Sequence, residues 1–396
     1  YTITIANGDA TGSTAAEFNT INSATSVAIN ASAVTALSGS ASDIATLMSA
    51  ATDTNQFTGT SFDSVAANGL SITGTAIDVT DLNNALSRTT SVSDNTVLAT
   101  FASAQGDITV SGGTASEFDT LLSLEGTNVN ITGLNLTVDS GSVSITQANN
   151  LTQTTSGTVT ATVTSGAVTD LTALDEDTDN NAALSITITD SSASAADLNT
   201  INAATTQTVD ITSVETIPSS SVTALNLFAN AIIAGGQFTK TGGLTNITSV
   251  TVSDTSIDFS SFKTTIDNYN IFQTGSAFTF ASNATITLGS QGDVDAFLSD
   301  IDNSLITFSG TNQAVTVTPS ASGGVDISHT DANSLATKAG GTVTATIASG
   351  TTVDQLKTLR TPNGSDNEVN AYTITIANGD ATGSTAAEFN TINSAT

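Results

Sequence analysis

The 396 residues contain no cysteine and no tryptophan, three prolines, one histidine and six basic side chains. Each shortage excludes something. Without cysteine there is no disulfide framework and no thiolate metal site. Hydrolytic triads and zinc centres draw on a histidine inventory that His329 alone does not supply, and His329 sits in the alternating stretch Val325, Ile327, His329 as a surface or turn residue. The cations Arg88, Lys240, Lys263, Lys338, Lys357 and Arg360 face 36 acidic residues, a net charge of −30. That balance repels nucleic acid and anionic membranes, since binding either releases counterions in exchange for Lys and Arg. No run of 18 apolar residues exists; Val222 to Ala234 is interrupted by Thr223, Asn226 and Asn230, so no membrane span is expected. Pro218, Pro319 and Pro362 are isolated, and no low-complexity linker divides the chain.

Charged residues make up 11% of the chain, against roughly 25% in ordinary soluble proteins. Thr, Ser and Asn must therefore cover the surface, while Ile, Val, Leu and Ala build thin, layered cores. A mean hydropathy of +0.13 with regularly recurring apolar residues describes a chain that folds. Its acidic surface suits cation-rich media, where divalent ions screen self-repulsion.

Residues 1–25, YTITIANGDATGSTAAEFNTINSAT, recur letter for letter as residues 372–396, 371 positions on. Residues 1–371 thus read as one tandem-repeat period and 372–396 as the start of the next. With Tyr1 first, and neither Met nor a cleavage site, the chain is read as a segment of a longer array.

A shorter motif recurs inside the period: Ser or Thr, two spacers, an acid, then apolar residues three apart. Copies begin at Thr14, Ser40, Thr114, Ser194, Thr255, Thr351 and Thr385, with looser ones around Asp81, Asp170, Ala224, Asp293 and Asn333. Ser or Thr followed three residues later by an acid is a capping box, which satisfies two orphaned backbone donors at a helix start. Pairs such as Phe18 and Ile21 then share one face of a helix of one or two turns, too short to stand alone. The motif acids are accordingly read as caps and not as catalytic pairs.

Between these helices lie alternating runs, such as Thr2 to Ile5, Asp107 to Val110, Leu184 to Ile188, Ala284 to Leu288 and Ala314 to Thr318. Period-two alternation predicts half-buried strands, Ile and Val inward and Thr outward. Outward Thr-x-Thr ladders such as Thr158 and Thr160 would suit ice, but Thr is also a good exposed strand residue. There is a half-period echo near 185 residues: Gly157 to Thr162 recurs as Gly341 to Thr346, and Asp197 to Asn202 resembles Glu388 to Asn393. The expected fold is a β-rich parallel solenoid with short capped helices in its coils, about twelve units per period. Tandem antiparallel sandwiches are the alternative, and they lack a regular helix signal. Ile3, Ile5, Phe18, Ile21, Ile186, Ile188, Leu198 and Ile201 are expected in its core.

The densest acidic cluster runs from Asp175 to Asn181. Its D-x-D-x-D opening resembles a calcium loop, yet Asn180 stands where an EF-hand needs Gly and Ile186 where it needs Glu. Asp175, Asp177 and Asp179 are the candidate Ca²⁺ ligands, with a solvated acidic loop as the alternative reading. Asp293, Asp295, Asp300 and Asp302 form a weaker cluster where helix capping competes. No other cofactor is expected.

With Thr- and Asp-rich strands, helices of the ASADLNTINAAT type (Ala193 to Thr205), no cysteine and a long tandem period, the chain resembles the giant repetitive cell-surface proteins of marine cyanobacteria and similar bacterial β-strand-repeat surface proteins. The resemblance implies secretion and a role in surface layers, appendages or adhesion, and it supplies no catalytic residue. The expectation is a non-enzymatic, extracellular structural part whose partner is itself, end to end or side by side. The alternative is an adhesin for glycans or a surface, although Tyr1, Tyr269 and Tyr372 are a sparse aromatic supply for glycan binding.

Overall fold

The computed structural model describes residues 3–5, 14–34, 36–51, 56–58, 69–86, 98–240, 247–272, 277–308, 313–339, 341–362 and 370–396. Two compact units divide the chain: Tyr1–Thr187 with Ile201–Val209, and Ile188–Thr200 with Asp210–Thr396. The dividing region lies close to the half-period of the echo. The fold is α/β, with several sheets in which every described strand pairing is parallel.

Fourteen helices form among the described residues. The first six are α1 (Ala15–Ser23), α2 (Ala41–Ala51), α3 (Val79–Leu86), α4 (Ala115–Ser123), α5 (Ile145–Thr154) and α6 (Val168–Leu171). Then come α7 (Ala195–Ala203), α8 (Val222–Gly235), α9 (Phe259–Phe272), α10 (Gln291–Asp302), α11 (His329–Lys338), α12 (Val353–Leu356), α13 (Asn378–Ala381) and α14 (Ala386–Asn393). Half of them begin at the Ser or Thr that the motif places there. At α1 the Glu17 N–H donates to Thr14 Oγ1 at 3.3 Å while the Thr14 N–H donates to Glu17 Oε2 at 2.7 Å. Ser40, Ser194, Ser221, Ser290 and Ser328 each accept the N–H of the residue three further on, at 3.1–3.2 Å.

Two caps differ from expectation. Asp258 is not the third helical residue behind a Thr255 cap. It stands before α9 and accepts the Ser261 N–H itself, because Ser256–Asp258 is held in a strand. At α12 the cap is Thr352 paired with Gln355, one residue later than expected. A capping box at Ser144 and Gln147 was not anticipated, because the motif asked for an acid where Gln reaches back equally well. Nor are all the helices short: α8 and α9 run 14 residues each. Their apolar faces continue through Leu225, Phe228 and Ala229, and through Phe262 and Ile266, all fully buried. The molecule is thus less β-rich than its alternating runs suggested.

Each strand pairs with a strand one helix-bearing segment away, the crossover that parallel pairing demands. In the first unit Ile77, Val110, Leu136, Val159 and Ala182 stand in register across five strands. In the second, Ile257, Ile286, Val315, Val343 and Asn370 form one row and Ile217, Val250, Phe278 and Ile306 another. Alternation decides which face is dry: Val159 and Ala161 are buried, Thr160 and Thr162 exposed. Phe18, Ile186, Ile188, Leu198 and Ile201 are buried as expected. Ile3, Ile5 and Ile21 are only half-buried; Ile3 lies in a two-residue strand whose described partner is on one side, Ile29–Asn30.

The half-period echo is structural as well. In both units a ten-residue helix (α5, α11) precedes a V-T-A-T strand (Val159–Thr162, Val343–Thr346) and a four-residue helix (α6, α12). Even the isolated bridges correspond, Val143 with Val163 and Ile327 with Ile347.

Candidate functional site

The acidic loop follows α6 and leads into the strand Ala182–Thr187, beside a cleft of about 430 Å³ lined in part by Gln153, Thr155, Asp175, Asp177, Asp179 and Asn181. Asn149 of α5 positions its entry, accepting the Asp175 N–H at 3.1 Å and donating to the Ala173 carbonyl at 2.9 Å. Asn180 takes a left-handed conformation (φ 55°), which Asn tolerates better than most residues, and turns the chain toward the sheet. Asn181 is buried and donates to the Thr155 carbonyl at 2.8 Å.

These contacts fix what the carboxylates do. Both oxygens of Asp177 are engaged by the loop's own backbone, Oδ1 by the Asn181 N–H at 3.0 Å and Oδ2 by the Ala182 N–H at 3.1 Å. Asp175 accepts from the Gln153 side chain, and Asp179 is exposed. Among the described residues no three His, Asp or Glu side chains are arranged to hold a metal ion. Asp175, Asp177 and Asp179 thus share one loop, in which Asp177 caps the turn. The position of Asp175 carries no fixed chemistry either. In the second unit Arg360 takes its place, donating its N–H to Asn333 as Asp175 donates to Asn149.

The second acidic cluster also disperses. Asp293 accepts the Gly289 N–H, Asp295 accepts from Gln291, Asp302 pairs with Lys338, and Asp300 is buried 3.7 Å from the Lys263 ammonium. His329 opens α11, half-buried.

Every described cation is committed inside its own unit. Lys263 joins α9 to α10 through Asp300, Lys338 joins α11 to α10 through Asp302, and Lys357 joins α12 to α14 through Glu388 at 2.8 Å. Lys240 donates to the Thr212 carbonyl at 2.8 Å and Arg360 to the Ala336 carbonyl at 3.0 Å. Arg88 lies outside the described residues. Basic side chains used this way brace neighbouring helices and leave no cationic patch among the described residues for a polyanion. No helix among the described residues is long and apolar enough to cross a membrane.

The sequence reading missed an asparagine clamp. Asn19, Asn83, Asn149, Asn199 and Asn333 each follow the apolar residue after the third helical position. Each donates its side-chain amide to a backbone carbonyl 24 to 34 residues on: Asp43, Glu117, Ala173, Ala224 and Thr358, at 2.8–2.9 Å. The signal was present in E-F-N, D-L-N and D-A-N, and it was legible only once the neighbour's carbonyl was known. Asn149→Ala removes one donor and one acceptor from a half-buried site. A loss of about 1–3 kcal/mol is expected, read from urea midpoints, with Asn149→Asp losing a similar amount because it cannot donate.

Identical residues carry different charges' worth of support. Glu17 is held below the ordinary carboxylate range by the Thr14 N–H and hydroxyl, whereas Glu388, its repeat, is pulled down to about 2 by Lys357 and then Thr385. Asp300 is pushed up by burial, which Lys263 only partly offsets. The signs are opposite. A depressed carboxylate gives stability that is complete above its unfolded pKa of about 4.3 and lost as pH falls toward the folded value. A raised one favours folding increasingly as pH falls through its raised value. The stability deficit of Glu388→Gln relative to the parent should therefore shrink between about pH 5 and pH 2. Carboxyl NMR titration should place Asp300 above, and Glu388 below, the ordinary range.

Comparison with protein-family models, with curated proteins and with solved structures finds no match in any of the three.

Proposed function

We propose that this chain is a period of a tandem-repeat structural protein, a parallel β-solenoid with capped helices in its coils and about twelve coils to each 371 residues, that builds an extracellular fibre, appendage or surface layer. One observation carries the reading: the capped helix of the repeated stretch, Ala15–Ser23, forms again at Ala386–Asn393. Thr14 and Thr385 cap at φ −92° in both copies, with ψ 161° and 158°, and each opens a helix with a complete capping box. A capped helix that recurs 371 residues on is what a stacked array requires, since each coil meets only its neighbours. The in-register apolar rows, the asparagine clamps and the lysine braces all act between consecutive segments, which supports a mechanical role. Divalent cations enter as diffuse counter-ions to the acidic surface, and the protein's partner is itself. The location is tested with antibodies to the exposed loop around Asp179 on unpermeabilised cells of the source organism. Labelling of surface fibres or a layer is the expected result, and labelling only after permeabilisation would overturn it.

A further inference from the structure

The triplet Asn-x-Ser/Thr without a central Pro occurs seven times in the chain, and it is the acceptor pattern for N-glycosylation. The copies at Asn246 and Asn363 lie outside the described residues. The fold separates the other five. Asn135 spends both ends of its amide on its neighbours, donating to the Gly106 carbonyl at 2.9 Å and accepting the Thr158 N–H at 2.8 Å. Asn150 is held in α5, where the Thr152 hydroxyl turns back onto the Ala148 and Asn149 carbonyls. Asn30 is half-buried in the strand Ile29–Asn30. Asn283 is exposed, but its Thr285 already belongs to the strand Thr285–Leu288, with its N–H on the Thr255 carbonyl. Asn130 differs from all four. It is exposed, its Oδ1 accepts the Thr132 N–H at 3.0 Å and the Thr132 hydroxyl at 2.8 Å, and its Nδ2 donates to nothing among the described residues. The turn does not require that nitrogen: Asp210 accepts the same two bonds from Thr212, at 2.9 and 2.6 Å, with a carboxylate.

We propose that Asn130 is an N-glycosylation site, taking an oligosaccharide from a polyprenyl-diphosphate carrier. The inference rests on the extracellular reading above, because a chain meets such a carrier on its way out of the cell. An amide nitrogen is a weak nucleophile, so the sugar must arrive on a good leaving group. The Nδ2–C1 bond forms as the C1–O bond to the carrier breaks. The diphosphate leaves with the electron pair, and the Nδ2 proton passes to a carboxylate of the transferring enzyme. Two hydrogen bonds to Oδ1 stabilise the negative charge that builds on the amide as this proton departs. At Asn130 the folded turn supplies both of them and leaves Nδ2 facing solvent, so the acceptor is already arranged before any enzyme binds. Asn135 carries the same triplet five residues on and has no free nitrogen to offer. Sequence alone does not tell the two apart; their hydrogen bonds do.

The test is glycopeptide mass spectrometry on the protein recovered from its source organism. Cleavage after Glu125 and Asp139 releases residues 126–139, which hold both triplets in one peptide. Fragmentation that keeps the sugar attached should place a glycan on Asn130 and none on Asn135. Asn130→Asp should lose the glycan and keep the urea midpoint of the parent stripped of its sugar, since Asp210 shows that a carboxylate holds this turn. Thr132→Ala should lose the glycan with the amide still present, and Thr132→Ser should retain it. A bare Asn130 on protein that antibodies find at the cell surface overturns this inference and leaves the extracellular reading standing, and so does a glycan on Asn135 with Asn130 bare. A glycan that survives in T132A also overturns it, because the turn would then play no part. Protein found only inside the cell sinks the extracellular reading, and this inference with it.

Discussion

Phe262→Ala is expected to cost about 3–5 kcal/mol, the range for removing a large aromatic from a packed core. Phe262 is fully buried on α9, with its ring 5.2 Å from Phe278 and 5.1 Å from Phe280 on the strand Ala277–Phe280. Phe280 in turn leans on Phe308, and Phe297 on both Phe259 and Phe308. The cavity therefore opens beneath a chain of rings that bridges several strand–helix segments, and relaxation at one site disturbs the next. Phe262→Leu keeps most of the volume and should lose under about 1.5 kcal/mol. Urea denaturation monitored separately in the two units is the measurement. The second unit's midpoint should fall for F262A and barely move for F262L; equal losses would mean that ring stacking, and not volume, holds this core.

The other large effect comes from a position with no side chain. A Cβ built on Gly157 would lie 2.3 Å from the Leu134 carbonyl oxygen, which also accepts the buried Thr155 hydroxyl at 2.6 Å. Backbone lies against backbone here, so neither partner has a side chain to swing aside. Gly157→Ala must push the two paired segments apart, breaking the Thr155 bond and straining the Leu136 N–H to Thr158 carbonyl bond of 2.9 Å. Overpacking and one lost buried hydrogen bond together come to about 3–4 kcal/mol. Gly106→Ala is the control, since nothing lies within 4 Å of its added Cβ, and it should stay within about 0.5 kcal/mol of the parent. Amide exchange in the strand Val159–Thr162 should quicken in the first variant only. Unchanged protection there would show that the close approach is not needed for pairing.

Much of the local structure was legible in the residues. Thr14, Ser40 and Ser194 cap helices because a hydroxyl at that spacing meets an otherwise unpaired N–H, a relation contained within four residues. The strand rows followed from alternation, which sorts Val159 inward and Thr160 outward whatever lies beyond. What failed depended on neighbours distant in sequence. Asp258 became the cap because pairing of Ile257 with Ile286 holds the preceding residues extended. Ile21 is half-exposed while Ile392, the same residue in the same motif, is buried, because different segments flank the two copies. The candidate site shows the same limit. The clustering of Asp175, Asp177 and Asp179 was visible, but the direction of Asp177 toward two backbone N–H groups is a property of the folded turn. The asparagine clamps needed a carbonyl about thirty residues away before they acquired a meaning.

The central claim, that consecutive periods continue one solenoid, is tested most directly by joining residues 26–396 after Thr396 and imaging one- and two-period chains by electron microscopy. With strands stacked at about 4.8 Å per coil, each period adds on the order of 60 Å. The account predicts a particle of unchanged width whose length grows by that amount, with no joint at the seam. Two separate beads on a flexible connection, or one rounder particle, would contradict it.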